Sequence, residues 1–378
     1  MGGNIVKKGL DGVVVAESGM SYIDGEKGIL IYRGHLIEDL ADKSNFEEVL
    51  YLLWNERLPK KSELLEFKGM LKDKRELPEG ILRSIEELTI QGETPMAALR
   101  TAVSMISAYD NEDEVVGDKD LIFERGMNIT AKIPTIIAAF DRFRRGEKNI
   151  EPRRDLDHAA NFLYMLTGET PDEVLSKTLD IALILHCDHG LNASTFAARV
   201  TVSTLADIYG AITSAIGCLS GPLHGGANQK VMKMLLEIED KKINPEIWVK
   251  NALDGGRKIP GFGHRVYKIK DPRANILGEM SESMGISKGD LKWHEYSRII
   301  EKFVEEKKGL AANVDFYSAS AYYQMGIASD LYTPIFAMSR IGGWVGHIIE
   351  QYSGNRLIRP RANYVGEMEA TYTSIDKR

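Results

Sequence analysis

The sequence PDEVLSKTLDIALILHCDHGLNASTFAARVTVSTLADIYGAITSAIGCL, residues 171–219, decides the fold class. It predicts two successive helices, at about 171–188 and about 193–219. The run IALILH at 181–186 is apolar on nearly every face, which is typical of a helix buried on all sides. The second helix is dense in Ala, Ser, Thr and Gly, small residues that let neighbouring backbones approach closely. We expect both helices at the centre of the molecule, with part of their surface available as a subunit interface.

Amphipathic helices account for most of the other residues. One β-hairpin is predicted over residues 20–33, with Asp24 and Gly25 in its turn. Ser44 is the expected cap of the first amphipathic helix, and Pro134 is expected to break or kink a later one. Because βαβ alternation is missing from the pattern, the predicted class is all-α, with several helices in two domains and one small N-terminal hairpin. Further helices are predicted at about 62–73, 79–89, 95–109, 119–145, 225–239, 245–254, 273–284, 289–307, 317–325 and 332–351.

Size, charge and composition narrow the class of protein. A chain of 378 residues exceeds the size at which one core stops growing, so two domains, or one with an insertion, are expected. The net charge of -7 argues against a nucleic-acid partner, because affinity for phosphate backbones comes from a basic excess. The longest mostly apolar stretch, 196–219, contains Arg199 and Asp207, which argues against a membrane span.

The cysteines and the N-terminal residues predict a cytoplasmic location. Cys187 and Cys218 are too few for a disulfide framework, and both lie in apolar helical runs as small buried residues, which favours a reducing compartment. The first residues lack the apolar run of a secretory signal.

The motif GFGHRVYKIKDPR, residues 261–273, predicts an anion site. Gly261 and Gly263 permit backbone shapes that bring the chain close to a ligand and direct His264 toward it. Arg273 follows in the first turn of the next helix and supplies a guanidinium group that suits carboxylates and phosphates. A tight basic surface loop would show the same residues, so the motif alone leaves both interpretations open.

Two further segments place histidines beside glycines. In GPLHGG, residues 221–226, His224 precedes a helix start, whose dipole favours a neutral imidazole that can donate a hydrogen bond. A purely structural turn before a helix is the alternative. In HCDHGLNAST, His186 and His189 are three residues apart, a spacing that is compatible with a metal site, but no third ligand is evident. We therefore expect His189 to bind substrate and His186 to pack in the core.

The C-terminal third contains a candidate base, and its motifs SRIGGW and IRPR contribute three arginines. Asp315 in NVDFYS lies between an apolar and an aromatic residue, so desolvation would make it a stronger base; a helix N-cap is the alternative. Arg340 in SRIGGW lies in an otherwise apolar helix, and a buried arginine requires an anionic partner. Arg359 and Arg361 follow in IRPR.

The motifs GPLHGG, GFGHRVYKIKDPR, NVDFYS, SRIGGW and IRPR, in this order and at these separations, resemble citrate synthase, particularly its shorter archaeal and bacterial form. The resemblance covers nearly the whole chain. It implies an almost entirely α-helical homodimer. Each subunit would have a large dimerisation domain, residues 1–225 and 327–378, and a small domain, residues 226–326, that closes over the substrates.

The resemblance implies an acyltransferase without a permanently bound cofactor or a metal. Asp315 would take a proton from the methyl group of acetyl-CoA, His224 would hydrogen-bond the thioester oxygen, and His264 would polarise the keto oxygen of oxaloacetate. Citryl-CoA would then be hydrolysed to citrate and CoA. Oxaloacetate is a dianion, and the positions that match its ligands in the family are His189, Arg273, Arg340 and, from the other subunit, Arg359. Candidates for the CoA phosphates are Lys268, Arg257, Lys258 and Lys308.

Three alternatives stay open at this stage. The nearest is 2-methylcitrate synthase, which uses propionyl-CoA, because one extra methylene changes discrimination by only about 1–3 kcal/mol in an apolar pocket. A helical scaffold that only binds partners would lack a catalytic group, yet His224, His264 and Asp315 are all present. A histidine-based metallohydrolase would hold stoichiometric zinc.

Overall fold

The computed structural model describes residues 6–10, 12–110, 118–264 and 266–378. Sixteen α-helices lie within these ranges, and three short strands form one antiparallel sheet. The strands are β1 Ser21–Asp24, β2 Ile29–Tyr32 and β3 His35–Leu36. The helices are α1 Ile37–Lys43, α2 Phe46–Asn55, α3 Lys61–Asp73, α4 Glu79–Ile90, α5 Pro95–Ile106, α6 Lys119–Arg144, α7 His158–Thr167, α8 Glu173–His186, α9 Ala193–Val202, α10 Ile208–Leu219, α11 Ala227–Asp240, α12 Pro245–Asp254, α13 Pro272–Lys288, α14 Lys292–Lys308, α15 Val314–Gln324 and α16 Tyr332–Ser353.

The predicted all-α class and the N-terminal hairpin are confirmed. In the hairpin, Ser21 pairs with Tyr32 and Asp24 with Ile29, and the turn lies between them. The third strand, β3, was not predicted because it has only two residues and follows β2 after a tight turn that contains Gly34.

The second half of α8 is buried, and α9 and α10 are each partly buried, but one prediction about these central helices is wrong. The segment predicted as a single helix at 193–219 forms two helices, α9 and α10, which pack against each other. The break falls where Leu205 adopts a left-handed φ of 67° and Asp207 caps α10, its carboxylate accepting the N–H of Gly210 at 2.7 Å. An Asp side chain competes for backbone hydrogen bonds and therefore favours a helix start over a helix interior.

Helix α16 packs closely against the end of α8. A side chain at Gly342 would meet the Cys187 Sγ atom at 2.5 Å, and one at Gly343 would meet the Cys187 carbonyl oxygen at 2.5 Å. The Gly343 N–H donates to that carbonyl at 3.1 Å. The paired glycines thus let α16 approach α8 closely. Arg340, just before the glycines in α16, then reaches the carbonyl oxygen of His186, the last residue of α8.

Several local predictions differ from the structure. Asn45 rather than Ser44 caps α2, since its side chain accepts the N–H of Glu48 at 3.1 Å. Helix α6 continues through Pro134 without a break. Cys187 is buried as expected, whereas Cys218 is only half-buried. In the part of the chain that the structure describes, no helix has both the length and the apolar character needed to cross a bilayer.

Candidate functional site

Three hydrogen bonds hold the turn before His264 against the start of α15. The Gly263 N–H donates to the Ala311 carbonyl at 3.0 Å, and the Asn313 N–H donates to the Gly261 carbonyl at 2.9 Å. The Asn313 side-chain amide also donates to the Gly263 carbonyl at 2.9 Å. Two motifs about 50 residues apart in sequence are therefore joined, and the first turn of α15 carries Asp315 next to this junction.

The glycine at position 261 is required by both conformation and space. Gly261 has a φ of +82°, which disfavours other residues, and a side chain there would lie 2.8 Å from Phe316 and from Val231. Gly263 has a φ of +75°. The prediction that these glycines permit an unusual backbone shape is confirmed.

His264 is held as a neutral imidazole with one defined tautomer. Its Nδ1 atom accepts the N–H of Val266 at 3.0 Å and that of Tyr267 at 3.2 Å. Burial, and then the positive charge of Arg273, lower its pKa to about 4. Because Nδ1 is an acceptor, the ring proton lies on Nε2, which can donate a hydrogen bond to a ligand.

His224 is held in the opposite tautomer. The backbone N–H of Ser194 donates to His224 Nε2 at 3.2 Å, and the Ser194 hydroxyl lies 2.8 Å from the same nitrogen. The proton of the neutral ring is therefore on Nδ1. Its pKa falls to about 4, as the sequence predicts, but through burial and the nearby Arg340 rather than chiefly through a helix dipole.

Asp315 has the properties expected of a base. Burial raises its pKa from 3.8 to about 6, although the positive charges of Arg273 and Arg340 oppose the increase. No donor among the described residues bonds its carboxylate. The alternative that Asp315 caps α15 is wrong, because the cap is Asn313, whose side chain accepts the N–H of Asp315 at 3.0 Å.

The ring of His189 packs against the ring of His264, whereas the ring of His186 packs against Phe336. The rings of His189 and His264 are 5.1 Å apart, and His189 Nε2 lies 3.3 Å from the Tyr267 hydroxyl. His186 is buried against Phe336, with its Nδ1 atom 2.8 Å from the Ala182 carbonyl oxygen. Its predicted core position is confirmed. Within the described ranges, no group of three or more His, Cys, Asp or Glu side chains is arranged to hold a metal ion.

Two of the three predicted substrate arginines are buried in this cluster. Arg273 forms a two-point ion pair with Asp271, at 2.9 and 2.7 Å, and both side chains are almost fully buried. Burial works against the charge of Arg273, but Asp271 raises its pKa overall. Arg340 donates its Nε–H to the His186 carbonyl at 2.7 Å and lies over the ring of Phe336.

Arg359 lies apart from these residues in the single chain. It follows the end of α16, is exposed, and forms no hydrogen bond or ion pair with a described residue. The single chain therefore assembles His189, Arg273 and Arg340 but not Arg359.

Comparison with known proteins agrees with the geometry. Residues 9–361 match the family model described as "Citrate synthase, C-terminal domain". The citrate synthase of Haloferax volcanii is 58% identical over 375 residues, 99% of each chain. The chain belongs to the citrate synthase family. Its activity is therefore of the citrate (Si)-synthase type, an acyl transfer, and the non-catalytic scaffold and the metallohydrolase are not supported.

Two other members of the citrate synthase family bear on the substrates. The 2-methylcitrate synthase 1 of Corynebacterium glutamicum is 40% identical and covers 99% of this chain and 98% of its own. A Thermoplasma acidophilum citrate synthase, solved as a ternary complex with carboxymethyl coenzyme A and oxaloacetate, has a TM-score of 0.91, 33% identity and 99% coverage of both chains.

The candidate CoA-binding cations lie outside the buried cluster. Lys268, Lys258 and Lys308 are exposed, and Arg257 lies over the ring of Trp248 with its central carbon 5.1 Å from the ring centre. That these four cations bind the CoA phosphates in this member of the citrate synthase family stays a prediction.

The sequence patterns do not predict two of the residues that support the histidines, Ser194 and Tyr267. Ser194 holds His224, and it in turn accepts the indole N–H of Trp344 at 3.2 Å. Tyr267 packs against both the His189 and the His264 rings, with ring centres 5.5 and 4.9 Å away. Ser194 lies in a segment already singled out for its histidines, but nothing in its local pattern distinguishes it from a helix-capping serine.

Proposed function

We propose that His224, His264 and Asp315 carry out the condensation of acetyl-CoA with oxaloacetate. The Asp315 carboxylate removes a methyl proton from acetyl-CoA, leaving the thioester as an enol or enolate whose oxygen accepts a hydrogen bond from His224. The new carbon nucleophile attacks the keto carbon of oxaloacetate while His264 donates to the keto oxygen. The product, citryl-CoA, is hydrolysed by water to citrate and CoA.

One observation carries this assignment: each imidazole has one nitrogen already occupied by a backbone N–H donor. His224 must therefore present Nδ1–H, and His264 must present Nε2–H. Because the pKa of each is about 4, both stay neutral donors at physiological pH, where Asp315 with a pKa of about 6 is ionised. Two fixed donors and one desolvated carboxylate are the groups that an enolisation followed by attack on a ketone requires.

A thiol-release assay tests the overall reaction. Acetyl-CoA and oxaloacetate supplied together to the folded protein should release free CoA, whereas either substrate alone should not. Absence of CoA release from a folded protein would contradict the assignment. The proposed steps use no metal and no permanently bound cofactor. The absence of both from the reaction stays a prediction.

We assign oxaloacetate to His189, Arg273 and Arg340 of the same chain. Arg340 is 2% exposed, and no carboxylate in the described ranges is hydrogen-bonded to it, so an anionic ligand would balance its charge. Arg273 is held rigid by Asp271 and can meet a carboxylate with its remaining N–H groups. Arg273→Leu should raise the oxaloacetate dissociation constant by about tenfold or more, with a much smaller effect on acetyl-CoA binding. Equal effects on both substrates would contradict this assignment.

Arg359 is proposed to reach the site of a second subunit. The segment after α16 exposes several large apolar side chains, which suits contact with another copy of the chain. They are Leu357, Tyr364, Val365, Met368, Tyr372 and Ile375, all more than half exposed. A homodimer would bury this segment and could place Arg359 beside the partner's bound oxaloacetate.

Mixing two inactive variants tests that arrangement. Arg359→Leu and Asp315→Asn subunits would each be inactive alone. In a heterodimer, the subunit that keeps Asp315 would receive the intact Arg359 of its neighbour. Random reassociation of an equal mixture should therefore restore about a quarter of wild-type activity. If Arg359 served its own chain, mixing would restore nothing.

The proposed domain division and CoA contacts are tested separately. Residues 226–326 contain α11 to α15, and we propose that they close over the substrates as a unit. A decrease in radius of gyration on adding oxaloacetate, measured by X-ray scattering, would support closure, and an unchanged value would not.

Lys268→Ala should raise KM for acetyl-CoA more than that for oxaloacetate. Arg257→Ala, Lys258→Ala and Lys308→Ala test the weaker candidates in the same assay.

Acetyl-CoA is the proposed acyl substrate because the Haloferax volcanii citrate synthase is more similar than the 2-methylcitrate synthase. Steady-state kinetics with acetyl-CoA and propionyl-CoA decide between the two. A higher kcat/KM for propionyl-CoA would overturn this choice. A cytoplasmic location stays a prediction, supported by the free thiols of Cys187 and Cys218.

A further inference from the structure

The N-terminal β-hairpin, β1 and β2 with their turn, is hydrogen-bonded to the chain on both sides of His189. The Ser21 hydroxyl in β1 donates to Asp188 Oδ2 at 2.5 Å, and the Gly190 N–H donates to the Ser21 oxygen at 3.0 Å. Gly190 also donates to Asp188 Oδ2 at 3.2 Å. One serine of the hairpin therefore bonds the residue before His189 and the residue after it.

Tyr32, which pairs with Ser21 across the two strands, bonds the backbone of Asp188. Its hydroxyl accepts the Asp188 N–H at 3.1 Å and donates to the Asp188 carbonyl oxygen at 2.7 Å. Tyr32 is fully buried, so water cannot replace these two bonds if the hydroxyl is removed.

The Asp188 carboxylate is itself fully buried and anchored to α16. Its Oδ1 atom lies 3.2 Å from His347 Nε2. His347 Nδ1 is 3.1 Å from the Arg199 guanidinium, which can only donate, so a neutral ring carries its proton on Nε2, the nitrogen nearer to Asp188. A carboxylate is rarely buried in this way unless several partners fix it, so the turn that carries His189 has little freedom to move.

The turn of the same hairpin contacts the segment that holds His264. The Gly25 carbonyl accepts the N–H of Lys268 at 2.9 Å, and a side chain at Gly25 would lie only 2.1 Å from the Val266 carbonyl oxygen. The neighbouring N–H groups, of Val266 and Tyr267, are those that bond His264 Nδ1. The hairpin thus contacts the backbone around both histidines.

We propose that this hairpin is a positioning element of the oxaloacetate site. Ser21 and Tyr32 act as positioning residues for His189, and Gly25 for the segment that holds His264. By contacting both segments, the hairpin sets the 5.1 Å separation of the two imidazole rings. The inference rests on the proposed role of His189 in binding oxaloacetate, and extends the site to a strand pair whose side chains need not touch the ligand.

Tyr32→Phe tests the proposal, because phenylalanine keeps the ring and removes both hydrogen bonds to Asp188, together with a longer one to the Ile184 carbonyl oxygen at 3.3 Å. The dissociation constant of oxaloacetate should rise by about three- to tenfold, while that of acetyl-CoA changes by less than about twofold. Ser21→Ala should give a similar change, and Ser21→Thr, which keeps a hydroxyl, should recover most of the affinity. Tyr209→Phe is the matched control. Tyr209 is a buried residue whose hydroxyl donates to Asp110 Oδ2 at 2.9 Å in another part of the fold, so loss of this hydroxyl should lower thermal stability only.

A double-variant cycle separates positioning from general destabilisation. In a His189→Asn background, Tyr32→Phe should have almost no further effect on oxaloacetate affinity, because it acts through the missing imidazole. Unchanged oxaloacetate affinity in Tyr32→Phe, or an equal loss in both backgrounds, would overturn the positioning role. If His189→Asn itself bound oxaloacetate normally, the assignment of His189 would fail and this inference with it.

Discussion

Replacing Asp315 by asparagine should stabilise the fold at neutral pH and have almost no effect near pH 4. Folding raises the pKa of this carboxyl from 3.8 to about 6, so the folded state binds its proton more tightly than the unfolded state does. Between these two values, a rise in pH ionises Asp315 in the unfolded state first. The free energy of unfolding of the wild type therefore falls across that range and levels off above it.

The size of the effect follows from the shift. A rise of about two in the pKa of Asp315 corresponds to about 3 kcal/mol in the free energy of unfolding. Partial exposure of the side chain to water reduces this contribution to about 1–2 kcal/mol. Urea unfolding at one protein concentration, at several pH values from 4 to 8, should show Asp315→Asn gaining stability relative to wild type as the pH rises from 4 to about 6, with little further change above. A pH-independent difference, or a less stable variant at pH 8, would refute the reasoning.

Three further predictions concern the same cluster. Asp271→Asn leaves the Arg273 guanidinium buried without its partner and should lower the free energy of unfolding by about 3 kcal/mol, measured in urea. Gly261→Ala forces a methyl group to within 2.8 Å of Phe316 and should destabilise the fold by about 2–3 kcal/mol and lower kcat. The kcat/KM for acetyl-CoA should fall about tenfold per pH unit below pH 6 and be flat from 7 to 8, because only ionised Asp315 accepts the proton.

Matched controls make these outcomes specific. Asp254 forms an exposed ion pair with Lys250, so Asp254→Asn should change stability by less than about 0.5 kcal/mol; a similar loss in Asp271→Asn would contradict the buried-pair argument. Gly289 also has a positive φ, of +67°, but among the residues that the structure describes, no non-neighbouring atom lies within 4 Å of an added side chain. Gly289→Ala should therefore be the milder change. A rate profile without a decline below pH 6 would remove Asp315 as the base.

Local constraints mark some of the chemistry-bearing residues as candidates, and the resemblance to citrate synthase supplies their roles. Gly261 and Gly263 mark the turn before His264, and both have the positive φ that glycine permits. Arg340 stands out as a charge in an apolar helix and is buried as that pattern indicates. Such signals depend on a few neighbouring residues and can be identified without knowing the tertiary fold.

Contacts between distant segments could not be predicted in the same way. Ser194 bonds His224 across 30 residues, and Asn313 bonds the His264 turn across 50, yet each resembles an ordinary helix cap. The break between α9 and α10 was missed because the apolar pattern continues across it and only Asp207 marks the new start. Tertiary packing decides which of several plausible caps forms.

The most direct test of the proposed mechanism compares catalysis and binding in Asp315→Asn. Its carboxamide fills nearly the same volume but cannot accept the methyl proton of acetyl-CoA. The mechanism predicts that kcat falls by about 10²–10⁴-fold while the oxaloacetate dissociation constant, measured by calorimetry, stays within about twofold of wild type. Near-normal turnover by the folded variant would contradict the assignment of Asp315 as the base.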